Sequence, residues 1–204
     1  MADSAHFVAP DDGRICDMGR RDATVDDLYR VGEDVKAELV NGELVVMTPG
    51  GGLHGYACGA IHLNLADYAR RTGRGIALPD NVGFIVKLPN RRSFSPDAAF
   101  WTGGPLTADF VDGAPTFAAE VRSKDDYGPA AERALAAKRT DYFAAGTLVV
   151  WDVDIIDRQI VNVYRSIMPG TPTSYGHGAR AEAEPAVSGW SMAVDDLFPS
   201  VAGR

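Results

Sequence analysis

The hydrophobic and polar positions along the chain change their spacing several times, and each change predicts an element. Apolar residues recur every three or four positions from His54 to about Thr72, which predicts a helix. A second helix is expected from Gly128-Pro129 to about Ala145. Short apolar runs rich in β-branched and aromatic residues predict strands. These runs lie at residues 82–88, 94–101, 116–122, 147–154 and 160–165.

The first patterned region combines a short helix with a hairpin. Thr24 followed by two acids is typical of a helix N-cap, so a helix is expected at residues 24–31. Two strand-like runs in residues 35–47 flank Asn41-Gly42, the strongest short signal for a two-residue hairpin turn.

The order of elements predicts an α/β (α+β) fold in which helices flank a mixed central β-sheet. Residues 22–204 are expected to form a single domain. Residues 1–21 show no sustained period, and we expect them to form a loosely ordered arm.

Composition and charge narrow the classes of function. The chain has 204 residues and a net charge of -8, which argues against non-specific nucleic-acid binding over the whole surface but allows a small basic groove. Its two cysteines, Cys16 and Cys58, form no CxxC pair, so a reducing compartment without structural disulfides is expected. No signal-peptide pattern and no run of about 20 apolar residues is present, so a cytoplasmic protein without membrane association is expected.

Two predicted strands each carry one carboxylate among small apolar residues. Asp97 lies in the run FSPDAAFW and Glu120 in the run TFAAEVR. Consecutive strands usually lie side by side, so the two side chains could reach one ion. Two converging carboxylates, completed by water, are the usual protein ligands of Mg²⁺. The structural alternatives are a turn formed by the Asp after Pro and a solvated ion pair of Glu120 with Arg122.

The second predicted helix places a lysine on its inner face. At 100° per residue, Lys138 lies in the middle of the face that also carries Leu135 and Tyr142. A lysine on a buried face needs a carboxylate partner, or its stem lies along the surface with the ammonium in water. Lys138 could therefore reach the Asp97/Glu120 pocket, or its stem could lie over the sheet edge.

Several motifs together resemble the Uma-two (Uma2) family of restriction endonucleases, within the PD-(D/E)XK nuclease superfamily. They are AELVNGELVVM, SPDAAF, FAAEVRSKDD, KRTDYFAAGTLVVWD and the closing DDLF. The resemblance spans residues 22–200, almost the whole chain. It implies a restriction-endonuclease-like core and hydrolysis of DNA phosphodiester bonds with Mg²⁺, or alternatively Mn²⁺, as cofactor.

The resemblance also assigns roles to single residues. Asp97 matches the PD aspartate and Glu120 the second acid, which makes them the implied metal ligands. Glu38 matches an early acid that precedes the hairpin turn, and Lys138 resembles the helix lysine of the family. Catalytic roles are therefore implied for Glu38, Asp97, Glu120 and Lys138.

Two further positions are secondary candidates. The superfamily's usual lysine, two residues after the second acid, is Arg122 here. An arginine cannot act as a base, but it can hold phosphate or balance the two acids. His54 is expected at a helix start near the pocket, where it could support the ligands.

Other sequence signals leave alternatives open. His54, Cys58 and His62 recur every four residues, but a structural zinc site needs four ligands, and no second Cys/His group completes the set. Arg91-Arg92 could contact phosphate or form a solvated turn. The whole chain could also be a catalytically silent nuclease-like module that acts in binding or as a homodimer, or an enzyme for a smaller phosphoester.

Overall fold

The computed structural model describes residues 22–32 and 35–199. The arm expected at residues 1–21 and the end of the predicted domain at residues 200–204 lie outside the described residues.

Within the described residues, three α-helices form where the caps and the apolar period predict them, and a 3₁₀ helix that the sequence did not predict lies near the end. Thr24 caps the first helix and forms a reciprocal capping box with Asp27. Gly73 and Gly146 end the other two α-helices in the left-handed conformation, which glycine adopts without a steric penalty. The helices are α1 (Val25–Val31), α2 (Gly52–Thr72), α3 (Pro129–Ala145) and the 3₁₀ helix (Val194–Leu197).

Thirteen strands are described, and six of them form the central sheet. The strands are β1 (Ala37–Val40), β2 (Glu43–Val46), β3 (Ile76–Leu78), β4 (Phe84–Ile85), β5 (Ser93–Phe94), β6 (Ala98–Trp101), β7 (Val111–Asp112), β8 (Phe117–Val121), β9 (Val149–Asp154), β10 (Ile160–Arg165), β11 (Met168–Tyr175), β12 (Arg180–Glu182) and β13 (Ser191–Ala193).

The central sheet has the order β11-β10-β9-β8-β6-β3. Only β8 and β9 are parallel within it; the other pairs are antiparallel. The predicted hairpin at Asn41-Gly42 joins β1 and β2, and Asn41 and Gly42 both have positive φ. The expected mixed central β-sheet flanked by helices is therefore confirmed.

Helices α2 and α3 contribute to two separate apolar clusters. Ile61 and Leu65 of α2 pack with Phe117 and Trp151 of the sheet. Tyr142 of α3 packs with a second set of sheet residues, Ala99, Ala118 and Val150. Because neighbouring strand residues point to opposite faces, the alternation of Phe117, Ala118 and Ala119 between the clusters places the two helices on opposite faces of the sheet. Among the described residues, no helix combines the length and the apolar character needed to cross a membrane.

Two of the predicted strands are wrong in extent. Residues 82–88 form a strand only at Phe84–Ile85, and residues 94–101 divide into β5 and β6, which belong to different sheets. Pro96 lies at the division, and its ring nitrogen has no hydrogen to donate to a neighbouring strand. The division matters because it places Asp97 immediately before β6, at the edge of the central sheet.

Candidate active site

Asp97 and Glu120 lie beside each other in the central sheet, where β6 begins and β8 ends. Strands β6 and β8 are antiparallel neighbours, so the residue before β6 lies beside the end of β8. The backbone confirms this, since Asp97 N–H donates to Ala119 C=O at 3.0 Å. Val121 N–H donates to Asp97 Oδ2 at 2.7 Å, which fixes the carboxylate against the end of β8.

Lys138 reaches the acids from helix α3. Its Nζ lies 2.7 Å from Glu120 Oε2 and 2.9 Å from Glu38 Oε1. The side chain is 16% exposed, so the ammonium is paired with carboxylates and does not extend along the surface. Burial lowers the pKa of Lys138, but the charges of Glu120 and Glu38 outweigh it and raise the pKa. Lys138 is therefore a permanent positive charge at neutral pH.

Glu38 is held in a fully partnered network. One of its oxygens accepts a hydrogen bond from Ser95 N–H at 2.9 Å, and the other pairs with the guanidinium of Arg91. Burial opposes ionisation of Glu38, but Lys138 and Arg91 keep its pKa below the usual value. Glu38 thus remains ionised and anchors Lys138.

The pKa of Glu120 is shifted in the opposite direction to that of Glu38. Burial raises the pKa of its carboxyl, and the negative charges of Asp97 and Glu38 add to that effect against the opposing charge of Lys138. Tyr142 donates its hydroxyl hydrogen to Glu120 Oε1 at 2.6 Å. The Tyr142 ring stacks on Phe94 with 3.9 Å between centroids, which fixes the direction of that hydrogen bond.

Lys36 is a site residue that the sequence reasoning missed. Its Nζ lies 2.5 Å from Asp97 Oδ1 and 2.6 Å from Asp80 Oδ1. Burial lowers the pKa of Lys36, but the charges of Asp97 and Glu120 raise it, so the ammonium persists. One signal was available: Lys36 precedes Glu38 by two residues, the spacing that places side chains on one face of a strand.

His54 lies near the pocket, as expected from its position at the start of a helix. Its Nε2 is 3.5 Å from Asp97 Oδ2, and its Nδ1 is 3.5 Å from Cys58 Sγ. The contact with Asp97 raises the pKa of the His54 imidazole. His62 is not part of this group; in the described chain, the third potential metal ligand beside His54 and Cys58 is Asp97.

The pKa of Asp97 reflects these neighbours. Burial raises it, but the hydrogen bond with His54 and the charge of Lys36 lower it well below the ordinary range. Asp97 is therefore an ionised carboxylate at neutral pH.

Arg122 is paired with acids of its own. Its guanidinium donates to Asp152 at 2.7 and 2.8 Å and also contacts Glu132 on α3. The hydrogen bonds with Asp152 raise its pKa above the usual value. Asp152 of β9 is a buried partner of Arg122.

Arg91 differs from both sequence readings. It is buried, and it pairs with Glu38 and with Asp141 at 2.9 Å. Arg91 is therefore not a solvated turn residue. Its guanidinium is paired with two carboxylates, so it is not positioned to bind phosphate.

Comparisons with known proteins identify the family and the fold of this chain. A family model described as "Uma2: Putative restriction endonuclease" matches residues 23–195. The fold is similar to a solved crystal structure of "a putative nuclease belonging to DUF820" from Anabaena variabilis, with a TM-score of 0.69. The two chains are 18% identical, and the match covers 86% of this chain and 97% of the other. No curated protein matches the chain.

Proposed function

Because this chain belongs to the Uma2 family of restriction-endonuclease-like proteins, as its motifs predicted, we propose that it is a metal-dependent endonuclease that hydrolyses DNA phosphodiester bonds. The proposed cofactor is Mg²⁺, with Mn²⁺ as the alternative. One observation carries the proposal: Asp97 and Glu120 lie beside each other where β6 begins and β8 ends, and each has a lysine ammonium against it.

The donor set fits a hard divalent cation. Both proposed ligands are carboxylate oxygens, which Mg²⁺ prefers, and the open coordination positions would be filled by water and phosphate. Burial raises the pKa of Glu120 most, and the negative charges of Asp97 and Glu38 raise it further. A bound cation would relieve that repulsion.

The ion and the fixed charges have complementary roles in the proposed reaction. A divalent cation at Asp97 and Glu120 would lower the pKa of water and stabilise negative charge on a phosphoryl group. Lys138 keeps its proton at neutral pH, so it acts as a positive charge and not as a base. Glu38 does not contact substrate in this account; it positions Lys138 at 2.9 Å.

We assign Lys36 the role of a second positively charged side chain, after Lys138, beside the proposed metal ligands. It is 18% exposed, and its ammonium contacts Asp97 directly. Arg122 occupies the sequence position of the superfamily lysine, but two carboxylates engage its guanidinium. Lys36 and Lys138 each contact one of the two proposed metal ligands, so their charges lie at the pocket, whereas neither carboxylate paired with Arg122 is a proposed ligand.

A plasmid-nicking assay tests the function. Supercoiled DNA is incubated with the native chain and Mg²⁺ or Mn²⁺, and with the variants Asp97→Asn and Glu120→Gln. The control is Asp67→Asn, which removes one negative charge from the exposed face of α2. We expect nicking by the native chain and the control and at least a ~100-fold loss in both site variants, the order expected when a group that stabilises transition-state charge is removed.

The alternative is a catalytically silent module, and the engagement of Arg122 with Asp152 and Glu132 is the observation that favours it. Nicking that is equal in the native chain and in Asp97→Asn would show a contaminating nuclease. An inactive native chain that binds no metal would favour the silent module, and its homodimeric form would then be tested by sedimentation. An inactive chain that binds metal through Asp97 would point to a smaller phosphoester as substrate.

A further inference from the structure

A second set of potential ligands shares Asp97 but contains no other residue of the proposed nuclease centre. His54 and Cys58 lie one turn apart on α2, and both side chains face the edge of the sheet where Asp97 lies. Cys58 Sγ is 3.5 Å from His54 Nδ1 and 3.9 Å from His54 Nε2. One donor atom from each of His54, Cys58 and Asp97 lies within 4.8 Å of the others.

These spacings are close to those of a tetrahedral metal site. Zinc bonds of about 2.0–2.1 Å to nitrogen and oxygen and about 2.3 Å to sulfur place neighbouring donors roughly 3.3–3.6 Å apart. His54 Nε2 lies 3.5 Å from Asp97 Oδ2 and 3.9 Å from Cys58 Sγ. The donors of Cys58 and Asp97 lie within 4.8 Å of each other, so side-chain rotations would be needed to bring all three donors to these spacings, with water in the fourth position.

The chemistry of this set differs from that of the Asp97/Glu120 pair. A thiolate and an imidazole select soft or borderline ions such as Zn²⁺ and Co²⁺, whereas Mg²⁺ prefers oxygen. The i, i+4 spacing on a 21-residue helix holds the two softer donors at a fixed separation. Asp97 can serve this set because Lys36 contacts its Oδ1 while His54 faces its Oδ2.

We propose that His54, Cys58 and Asp97 form a binding site for a thiophilic divalent cation, of which Zn²⁺ and Co²⁺ are the test ions. An ion held there would bind Asp97 Oδ2, which can keep its hydrogen bond from Val121 N–H, and so would compete with a hard cation that needs Asp97 and Glu120 together. The site would make the protein sensitive to inhibition by thiophilic metals. The binding stands apart from the proposed nuclease function, whereas the inhibition rests on it.

Cobalt spectroscopy tests the binding without reference to catalysis. Co²⁺ bound to a thiolate gives a charge-transfer band in the near ultraviolet that oxygen and nitrogen ligands do not give. The titration uses the full chain with Cys16→Ser, in which Cys58 is the remaining cysteine. We expect the band in this protein and its loss when Cys58→Ala is added. No band in Cys16→Ser, or a band that persists after Cys58→Ala, would overturn the proposal.

Two more variants in the Cys16→Ser background separate the two sites. Glu120→Gln should leave the cobalt band unchanged while it weakens Mn²⁺ binding. Asp97→Asn should weaken Co²⁺ binding by at least about tenfold, or about 1.4 kcal/mol. An unchanged Co²⁺ affinity in Asp97→Asn would show that Asp97 is not a ligand of this site. The proposed competition between a thiophilic ion and a hard cation for Asp97 would then be wrong. If the chain proves to be a nuclease, Zn²⁺ should inhibit nicking at lower concentration in Cys16→Ser than in Cys16→Ser/Cys58→Ala.

Discussion

Replacing Lys138 by methionine removes the charge that joins two buried carboxylates. The native ammonium lies 2.7 Å from Glu120 and 2.9 Å from Glu38, with only 16% of the side chain exposed. Methionine keeps much of the apolar stem, so the change isolates the loss of the charge.

The expected loss of stability follows from the partners that remain. Removing one partner of a buried ion pair costs about 3–5 kcal/mol. Glu38 retains Arg91 and the Ser95 N–H, and Glu120 retains the Tyr142 hydroxyl, so we expect the lower end, about 3 kcal/mol. For a chain of this size, 1 kcal/mol corresponds to about 2–4 °C in the melting temperature, so Lys138→Met should lower it by about 6–12 °C.

Urea denaturation followed by tryptophan fluorescence measures the free energy of unfolding. The matched control is Lys124→Met, which changes an exposed lysine and should cost less than about 0.5 kcal/mol. A double-mutant cycle with Glu120→Gln should show a coupling of at least about 1 kcal/mol, because the second change removes the unpaired charge. A cost for Lys138→Met similar to that of the control, or effects that simply add, would refute the ammonium bridge.

Three further changes test other parts of the site. Arg122→Lys should lower the free energy of unfolding by about 1.5–3 kcal/mol in urea denaturation, because lysine cannot reproduce the bidentate contact with Asp152. Mn²⁺ binding, measured by calorimetry, should persist in this variant. Lost Mn²⁺ binding at unchanged stability would contradict a structural role for Arg122. Lys36→Met should tighten Mn²⁺ binding in calorimetry, since the ammonium no longer occupies Asp97 Oδ1, and it should slow plasmid nicking. Weaker Mn²⁺ binding would show that Lys36 does not compete with the metal ion for Asp97. Tyr142→Phe should lower the free energy of unfolding by about 1.5–3 kcal/mol in urea denaturation, since the Tyr142 hydroxyl donates to the charged Glu120. A decrease below about 0.5 kcal/mol would show that this hydrogen bond does not hold the carboxylate in place.

The parts of the site that follow from local periodicity could be predicted from the sequence. Asp97 and Glu120 were placed on consecutive strands, and β6 and β8 are neighbours. Lys138 was placed on the inner face of its helix, and it contacts Glu120. In each case a period of 2 or 3.6 residues sets the direction of the side chain. The strands β6 and β8 pair although residues 102–116, with β7 of another sheet, lie between them in the chain.

The remaining contacts depend on pairings between distant segments. Lys36 and Asp97 are 61 positions apart, and their contact requires β1 to lie beside the break between β5 and β6. The helical period grouped His54 with Cys58 and His62, whereas the tertiary fold brings Asp97 to the first two. The sequence did not predict the contact of Arg122 with Asp152 either, because that contact depends on the parallel pairing of β8 with β9.

The central claim is a hard-cation site at Asp97 and Glu120, and calorimetric titration of Mn²⁺ into the native chain tests it most directly. The same titration is made into Asp97→Asn and into the charge-matched control Asp67→Asn. The account predicts saturable binding in the native chain and the control and none in Asp97→Asn. No binding in the native chain, or equal binding in Asp97→Asn, would contradict it.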